Sequence, residues 1–407
     1  MTSRMTGIDL RIGIVGFGHR AQLTDQVHRP GRGSFVSTVL DTAERGRADA
    51  RESLPDALVT GTLDEFLSAG VDAALVLTPD DQHTGVAVAL LEAGIPVFCE
   101  KPLATTIPDA DAILEAAHRT GTRLYVGHNM RHMPVIVLMR QLILDGRIGE
   151  VKAIWCRHFV GHGGDYYFKD WHADRRRTTG LLLQKGAHDI DVLHWLAGAR
   201  TERVNAMGAL AVYGGIADRS DHAGERMEDW FSLDNWPPTA QTGMAPILDV
   251  EDLSQVNMTL ANGVLASYQQ CHFTPDYWRN YTVIGTEGRL ENFGDEIGAE
   301  VRVWRHRSHG AGEPDEVHRV AELAEGASAI HGGADDLLIA EFLRFVREGG
   351  RTDTSPVAAR DAVAAGIAAT DSIRSGGQVQ EVPPLPQELV AYFEGGQRRS
   401  SGERTTS

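Results

Sequence analysis

Residues 11–22 read RIGIVGFGHRAQ, an apolar run that passes directly into glycines at 16 and 18 and a small residue at 21. This is the G-x-G-x-x-G/A turn of a dinucleotide-binding unit. Gly16 permits the tight turn, Gly18 lets backbone approach a pyrophosphate, and Ala21 lets the next helix pack close to its strand. The phosphate charge then faces that helix's N-terminus. Asp41 closes a second apolar run, 23 positions after Gly18, where a carboxylate accepts hydrogen bonds from both adenosine ribose hydroxyls. A carboxylate there repels a 2′-phosphate, so NAD is expected and NADP is the less favoured cofactor. Arg45 is near enough to bear on that choice.

Outward from this turn, short apolar runs at 11–15, 35–40, 73–77, 97–99 and 123–126 alternate with helical patterns at 63–69, 85–93 and 108–120. Nearly all-apolar strands between helices predict a parallel sheet covered on both faces. From about residue 151 the pattern changes. VKAIWCRHF, SQVNMTLANG, VLASYQQCHF, NYTVIG and EVRVWRH are longer and alternate with period two, which predicts an open antiparallel sheet with one packed face. Ala261-Asn262-Gly263 is a hairpin turn signal. Residues 214–246 are rich in Gly, Asp and Pro and read as a long irregular insertion. Amphipathic helices are predicted at 334–347 and 358–375. The end, GGQRRSSGERTTS, has nothing to bury and is expected to be disordered.

A chain of 407 residues with a formal net charge of −17 is globular, and its charge disfavours nucleic acid and anionic membranes as partners. Arg175-Arg176-Arg177 is the main basic exception. Cys99, Cys156 and Cys271 show no CxxC spacing and fit reduced thiols. The N-terminal residues enter a strand without an apolar signal core, and no transmembrane run is visible. A cytoplasmic location is expected. His158, His162, His172, His188 and His194 show no HxxxH pair with a nearby carboxylate beyond His188 and Asp191, so no metal is expected.

VFCEKPLA at 97–104 follows AALVLTPDDQHTGVAVALLEAGI at 73–95. Downstream come Gly127-His128-Asn129-Met130-Arg131, LILDGRIG at 142–149 and GTEGRLEN at 285–292. Together these resemble the Gfo/Idh/MocA oxidoreductase family over residues 9–385. The resemblance implies an α/β protein: an N-terminal Rossmann domain (8–128), then a C-terminal α/β domain (129–385) with a large open mixed, mainly antiparallel sheet. Residues 386–407 are expected as a partly disordered tail. It also implies a nicotinamide cofactor, a sugar or cyclitol substrate in the domain cleft, and a homodimer or homotetramer. The expected cofactor residues are Gly16, Phe17, Gly18, His19 and Arg20, then Asp41 and Arg45, then Thr78, Pro79 and His83, and finally Glu100 and Lys101. Pro102 constrains the backbone and holds Lys101 towards the cleft, where an ammonium near a substrate hydroxyl stabilises the developing alkoxide.

The catalytic helix of the resembling family reads GGxLLDxGxHxxD, and residues 180–196 here read GLLLQKGAHDIDVLHWL. On a 3.6-residue helix Gln184, His188, Asp191 and Trp195 share one stripe, opposite Leu182, Leu183, Gly186, Ile190 and Leu193. His188 and Asp191 match the family pattern, but its first aspartate falls on Gln184, which can orient a hydroxyl but cannot accept a proton. Lys101, His188 and Gln184 are therefore the expected catalytic set, with His188 as proton acceptor. Lys185 lies about 100° off the stripe and reaches the cleft only if the helix starts after it. Asn129, Arg131, Tyr166, His172, Arg175, Lys185, Asp191 and His331 are expected to bind substrate, with Asp165, His272 and Tyr277 as further pocket candidates.

The expected function is NAD-dependent oxidation or reduction of a secondary hydroxyl. The first alternative is an NAD-dependent glycoside hydrolase, redox-neutral overall, with an anionic sugar as one candidate substrate. Arg175–Arg177 is compatible with binding that anion but is expected first as a solvated charge run. The second is a non-catalytic regulator that binds NAD and a ligand.

Overall fold

The computed structural model describes residues 9–320 and 333–398. Six strands form the first sheet: β1 (Leu10–Val15), β2 (Ser34–Leu40), β3 (Leu58–Thr60), β4 (Ala73–Val76), β5 (Val97–Cys99) and β6 (Leu124–Val126). All pair in parallel, in the order β3-β2-β1-β4-β5-β6. The central strands are buried on both faces, which is why they read as unbroken apolar runs. Two elements had no sequence signal. β3 is only three residues long, and helix Glu44–Ser53 buries just Gly46 and Ala50, too little for an apolar stripe. Every βα connection from β1, β2, β4, β5 and β6 leaves the same edge of the sheet, so Gly16, Asp41, Thr78, Lys101 and Asn129 gather there.

The second sheet comprises β7 (Val151–Gly161), β8 (Thr201–Ala209), β9 (Leu253–Leu260), β10 (Leu265–Thr274), β11 (Trp278–Gly285), β12 (Arg289–Phe293), β13 (Glu300–Trp304), β14 (Glu316–Arg319) and β15 (Gln380–Glu381). Their order is β14-β13-β12-β11-β7-β10-β9-β8-β15. The β7–β10 pair is parallel and the others antiparallel, so the sheet is mixed and mainly antiparallel. Its inner face gives Ile154, Val256, Tyr268, Val283 and Val301 to a core shared with Ile136, Met139, Val192, Leu193, Leu196 and Ala364. Each such aliphatic side chain contributes about 1.5–3 kcal/mol on burial. Its outer face keeps Trp155, Met207 and Leu265 exposed.

The long helix Pro356–Arg374 is rich in alanine, and at Gly366 an added Cβ would lie 3.0 Å from the Leu182 carbonyl oxygen. Absence of a side chain there lets this helix buttress the backbone of residues 181–184. Two segments depart from expectation. Helix Ala334–Glu348, expected in the second domain, packs on the first sheet through Leu338, Ile339, Phe342 and Phe345. Part of the expected tail is also ordered, because Leu389, Tyr392 and Phe393 form an i, i+3, i+4 stripe. They seat helix Gln387–Glu394 in the first domain's core, and Gln397 then bonds both main-chain groups of Leu124.

Candidate active site

A cleft of about 800 Å³ runs along the strand-end edge of the first sheet, facing residues 166–188 and the insertion. A second chamber of about 600 Å³ adjoins it, sharing Asn129, Lys185 and His188 as a common wall.

The glycine-rich turn forms one end. Gly16 has φ +91°, and a Cβ there would lie 2.9 Å from Leu77 carbonyl atoms, so only glycine fits. Gly18 faces open space, with no atom within 4 Å of its missing Cβ. Asp41 accepts from the Phe17 amide at 2.7 Å and the Ala43 amide at 2.7 Å, which pins the carboxylate at the end of β2 beside the turn. Arg20 is ion-paired with Glu100 (2.7 Å) and Asp335 (3.1 Å), and Asp335 also accepts from Asn129 at 3.0 Å. His19, Thr78 and Pro79 line the cleft. Thr78 Oγ1 and Asn129 Oδ1 are buried without a hydrogen-bond partner among the described residues. An open glycine cradle, a pinned ribose-side carboxylate and two waiting acceptors fit a dinucleotide.

Lys101 follows β5 and precedes a cis peptide to Pro102. Its Nζ donates to the Gln184 main-chain carbonyl at 3.1 Å. Burial lowers its pKa, against the pull of Tyr167, Glu100 and Asp80. Asp80, buried behind the same loop, is pushed up to about 6 by its own burial.

The segment opposite is not one helix. It breaks at Lys185 into Leu181–Gln184 and Gly186–Ala197. Lys185 keeps right-handed helical angles at this break (φ −99°, ψ −43°) and lines both chambers. Gln184 and His188 line the cleft, and Gln184 Oε1 and His188 Nδ1 lack partners among the described residues. Burial, then Lys101 and Lys185, holds His188 well below the usual imidazole range, so it is neutral at neutral pH. Burial and then Arg279 pull Lys185 down to about 8.

Asp189 anchors the helix from behind. It accepts from His158 (2.9 Å) and Tyr268 (3.0 Å), takes the Tyr281 hydroxyl, and ion-pairs with Arg279 at 3.0 Å. Burial alone would raise its pKa, but Arg279 and His158 hold it far below the carboxylate range.

Several expected site residues lie elsewhere. Arg131 and Asp191 form a buried bidentate ion pair (2.7 and 2.8 Å), so they brace the helix instead of reaching substrate. The polar stripe therefore divides: Gln184 and His188 face the cleft, while Asp191 turns to Arg131 and Trp195 stacks beneath that guanidinium. His83 is buried between the Thr78 and Pro102 carbonyls (2.9 and 2.8 Å), stapling two cleft loops together without lining the cleft. Arg45 is drawn to Asp229 at 2.6 Å, Arg175 to Asp249 at 2.8 Å, and Arg176 and Arg177 to Asp174 and Asp81. Asp165 is buried against Lys169, His272 is buried away from the cleft, and Tyr277 lines the second chamber. Tyr166 and His172 line the cleft, and His172 is oriented by Asp170 at 2.6 Å. His331 lies outside the described residues.

Sequence reasoning missed the insertion's role. Residues 221–227 and Trp230 line the cleft, and Arg226 binds Asp49 (2.6 Å) and the Phe17 carbonyl (2.9 Å). A Gly- and Asp-rich loop has no periodicity to announce such a contact. Among the described residues, no three His, Cys, Asp or Glu side chains gather as metal ligands, and no helix is long and apolar enough to cross a membrane.

A family model for an oxidoreductase NAD-binding Rossmann fold matches residues 10–128, and the companion C-terminal alpha/beta model matches residues 140–380. The chain is similar to the putative oxidoreductase YteT of Bacillus subtilis (strain 168), 28% identical over 54% of this chain and 60% of that protein. It is 30% identical to the myo-inositol dehydrogenase Hyg17 of Streptomyces leeuwenhoekii, over 59% of this chain and 74% of that one. The chain thus spans about three-fifths of the Bacillus relative's length. The fold is shared with levoglucosan dehydrogenase crystallised with NADH and levoglucosan, at a TM-score of 0.74 and 18% identity, covering 92% of this chain and 100% of that one.

Proposed function

The chain belongs to the Gfo/Idh/MocA oxidoreductase family, and from that premise we propose that it is an NAD-dependent oxidoreductase of a secondary hydroxyl on a sugar, cyclitol or sugar derivative. The observation that carries this reading is the convergence of Lys101, Gln184 and His188 on the cleft that Gly18 also lines. The inositol and levoglucosan dehydrogenases among its relatives and structural neighbours support a polyol substrate.

A bound nicotinamide supplies the hydride acceptor in one direction and the donor in the other. Lys101 places its ammonium beside the reacting oxygen and stabilises negative charge as it develops there. Gln184 Oε1 accepts a hydrogen bond from a substrate hydroxyl and orients the ring. His188, neutral and lining the cleft, accepts the carbinol proton and, with its lowered pKa, passes it readily to solvent. Alcohol and NAD⁺ then give ketone, NADH and one proton. Asp41 supports NAD over NADP, and Arg45 is committed to Asp229 instead of a 2′-phosphate. We also read the open sheet face around Trp155, Met207 and Leu265 as a surface for a homo-oligomer.

One observation favours a second reading. The insertion pinned to the glycine-rich turn by Arg226 would retain cofactor between half-reactions, as a redox-neutral glycoside hydrolase requires. Incubation with NAD and a panel of sugars, cyclitols and aryl glycosides tests both. Accumulating NADH supports the dehydrogenase; release of an aryl aglycone without net NADH supports the hydrolase and overturns it.

A further inference from the structure

Seven Lys and Arg side chains line the two chambers. Five are ion-paired: Arg20 with Glu100 and Asp335, Lys169 with Asp165 at 3.0 Å, Arg177 with Asp81, Arg226 with Asp49, and Arg279 with Asp189 and Asp295. Lys101 and Lys185 form no ion pair among the described residues. Lys101 at least donates to the Gln184 carbonyl, whereas Lys185 has only the Tyr167 ring, 5.8 Å away. Position 184, where the family pattern has an aspartate, lines the same cleft with a neutral side chain. The inner cleft therefore holds two ammonium groups beside a neutral histidine and a neutral amide, with Glu100 and Asp80 acting on Lys101 and Asp189 and Asp295 on Lys185 without a direct ion pair to either.

Resting on the oxidoreductase reading, we propose that the substrate is an anionic sugar or cyclitol, carrying a ring or exocyclic carboxylate that Lys185 binds at the junction of the two chambers. Lys185 lines both chambers and so stands at that junction. Gln184 Oε1 and His188 Nδ1 are left free for the ring hydroxyls beside it. A single unpaired ammonium at this point matches one carboxylate. A phosphoryl group requires more donors, and the one guanidinium in the second chamber is already held between Asp189 and Asp295. This places the anion site on Lys185, not on the Arg175–Arg177 run.

The test uses the full chain saturated with NADH and three pairs of ligands: glucose and glucuronate, galactose and galacturonate, mannose and mannuronate, with glucose 6-phosphate as a phosphate control. Calorimetry measures binding to wild type, Lys185→Met and Lys185→Arg. The expected result is at least a tenfold preference for a uronate over its neutral twin in one or more pairs. The preference collapses in Lys185→Met and is largely kept in Lys185→Arg. Absence of preference in every pair, preference that survives Lys185→Met, or tighter binding of the phosphate overturns the proposal. NADH formation with NAD over the same panel judges the oxidoreductase reading separately. Oxidation of neutral sugars without uronate preference leaves that reading standing and removes this one.

Discussion

Lys101 and Lys185 enter the same cleft from opposite sides and play different parts in the proposed mechanism. Lys101 sits at a strand end and is held by the Gln184 carbonyl, and in that mechanism its ammonium serves the reacting oxygen. Replacing it with alanine is expected to lower kcat by about 10²–10⁴-fold while NADH still binds, as cofactor fluorescence would show; unchanged turnover would remove it from the mechanism. Lys185 is faced by Lys101 and Arg279, which oppose its charge, by neutral His188, and by Asp189 and Asp295, which favour it. Burial first, and then Arg279, holds it at about 8. Above that pH the ammonium is lost, so uronate affinity should fall through pH 8. In Gln184→Asp the added carboxylate favours the ammonium, and the fall should move to higher pH. The departure at position 184 was readable in the sequence, because the surrounding pattern is intact. The reach of Lys185 was not, since periodicity gives only its angle to the stripe, while the second chamber it also lines is built from residues far away in sequence.

At the scale of elements, the catalytic helix is held from two sides. The Arg131–Asp191 pair braces one side and the Asp189 network the other. Both ions of the pair are buried, so Asp191→Ala strands a guanidinium. It should cost about 3–5 kcal/mol, read as a lowered denaturation midpoint; a loss below 1 kcal/mol would show the pair to be dispensable. The insertion behaves differently. Arg226 is partly exposed in its pair with Asp49, so Arg226→Ala should leave the thermal midpoint nearly unchanged. If the strap retains cofactor, the same substitution speeds NADH release several-fold in stopped-flow fluorescence; an unaltered release rate argues against retention. Asp191 lies on the same helical stripe as His188, and spacing alone could not tell a ligand-facing carboxylate from one that turns to a partner brought by another loop.

For the whole molecule, the nine-stranded sheet buries one face on its helices and presents the other to solvent, with Trp155, Met207 and Leu265 unprotected on strands paired edge to edge. Trp155→Arg combined with Leu265→Arg should shift the chain towards monomer in light scattering. A wild type that is already monomeric would refute the oligomer reading. Local pattern alone determined the glycine turn, the parallel strands, the alternating second sheet and the identity of the residues at 101, 184 and 188. These depend on periodicity and turn chemistry within a few residues of chain. Only the tertiary structure decided which polar groups meet the cleft. The return of 334–348 and 387–394 to the first sheet, the pairing of Arg131 with Asp191, and the seating of the insertion on the glycine turn join residues far apart in sequence. The energy of each contact resides in a partner that local sequence does not identify.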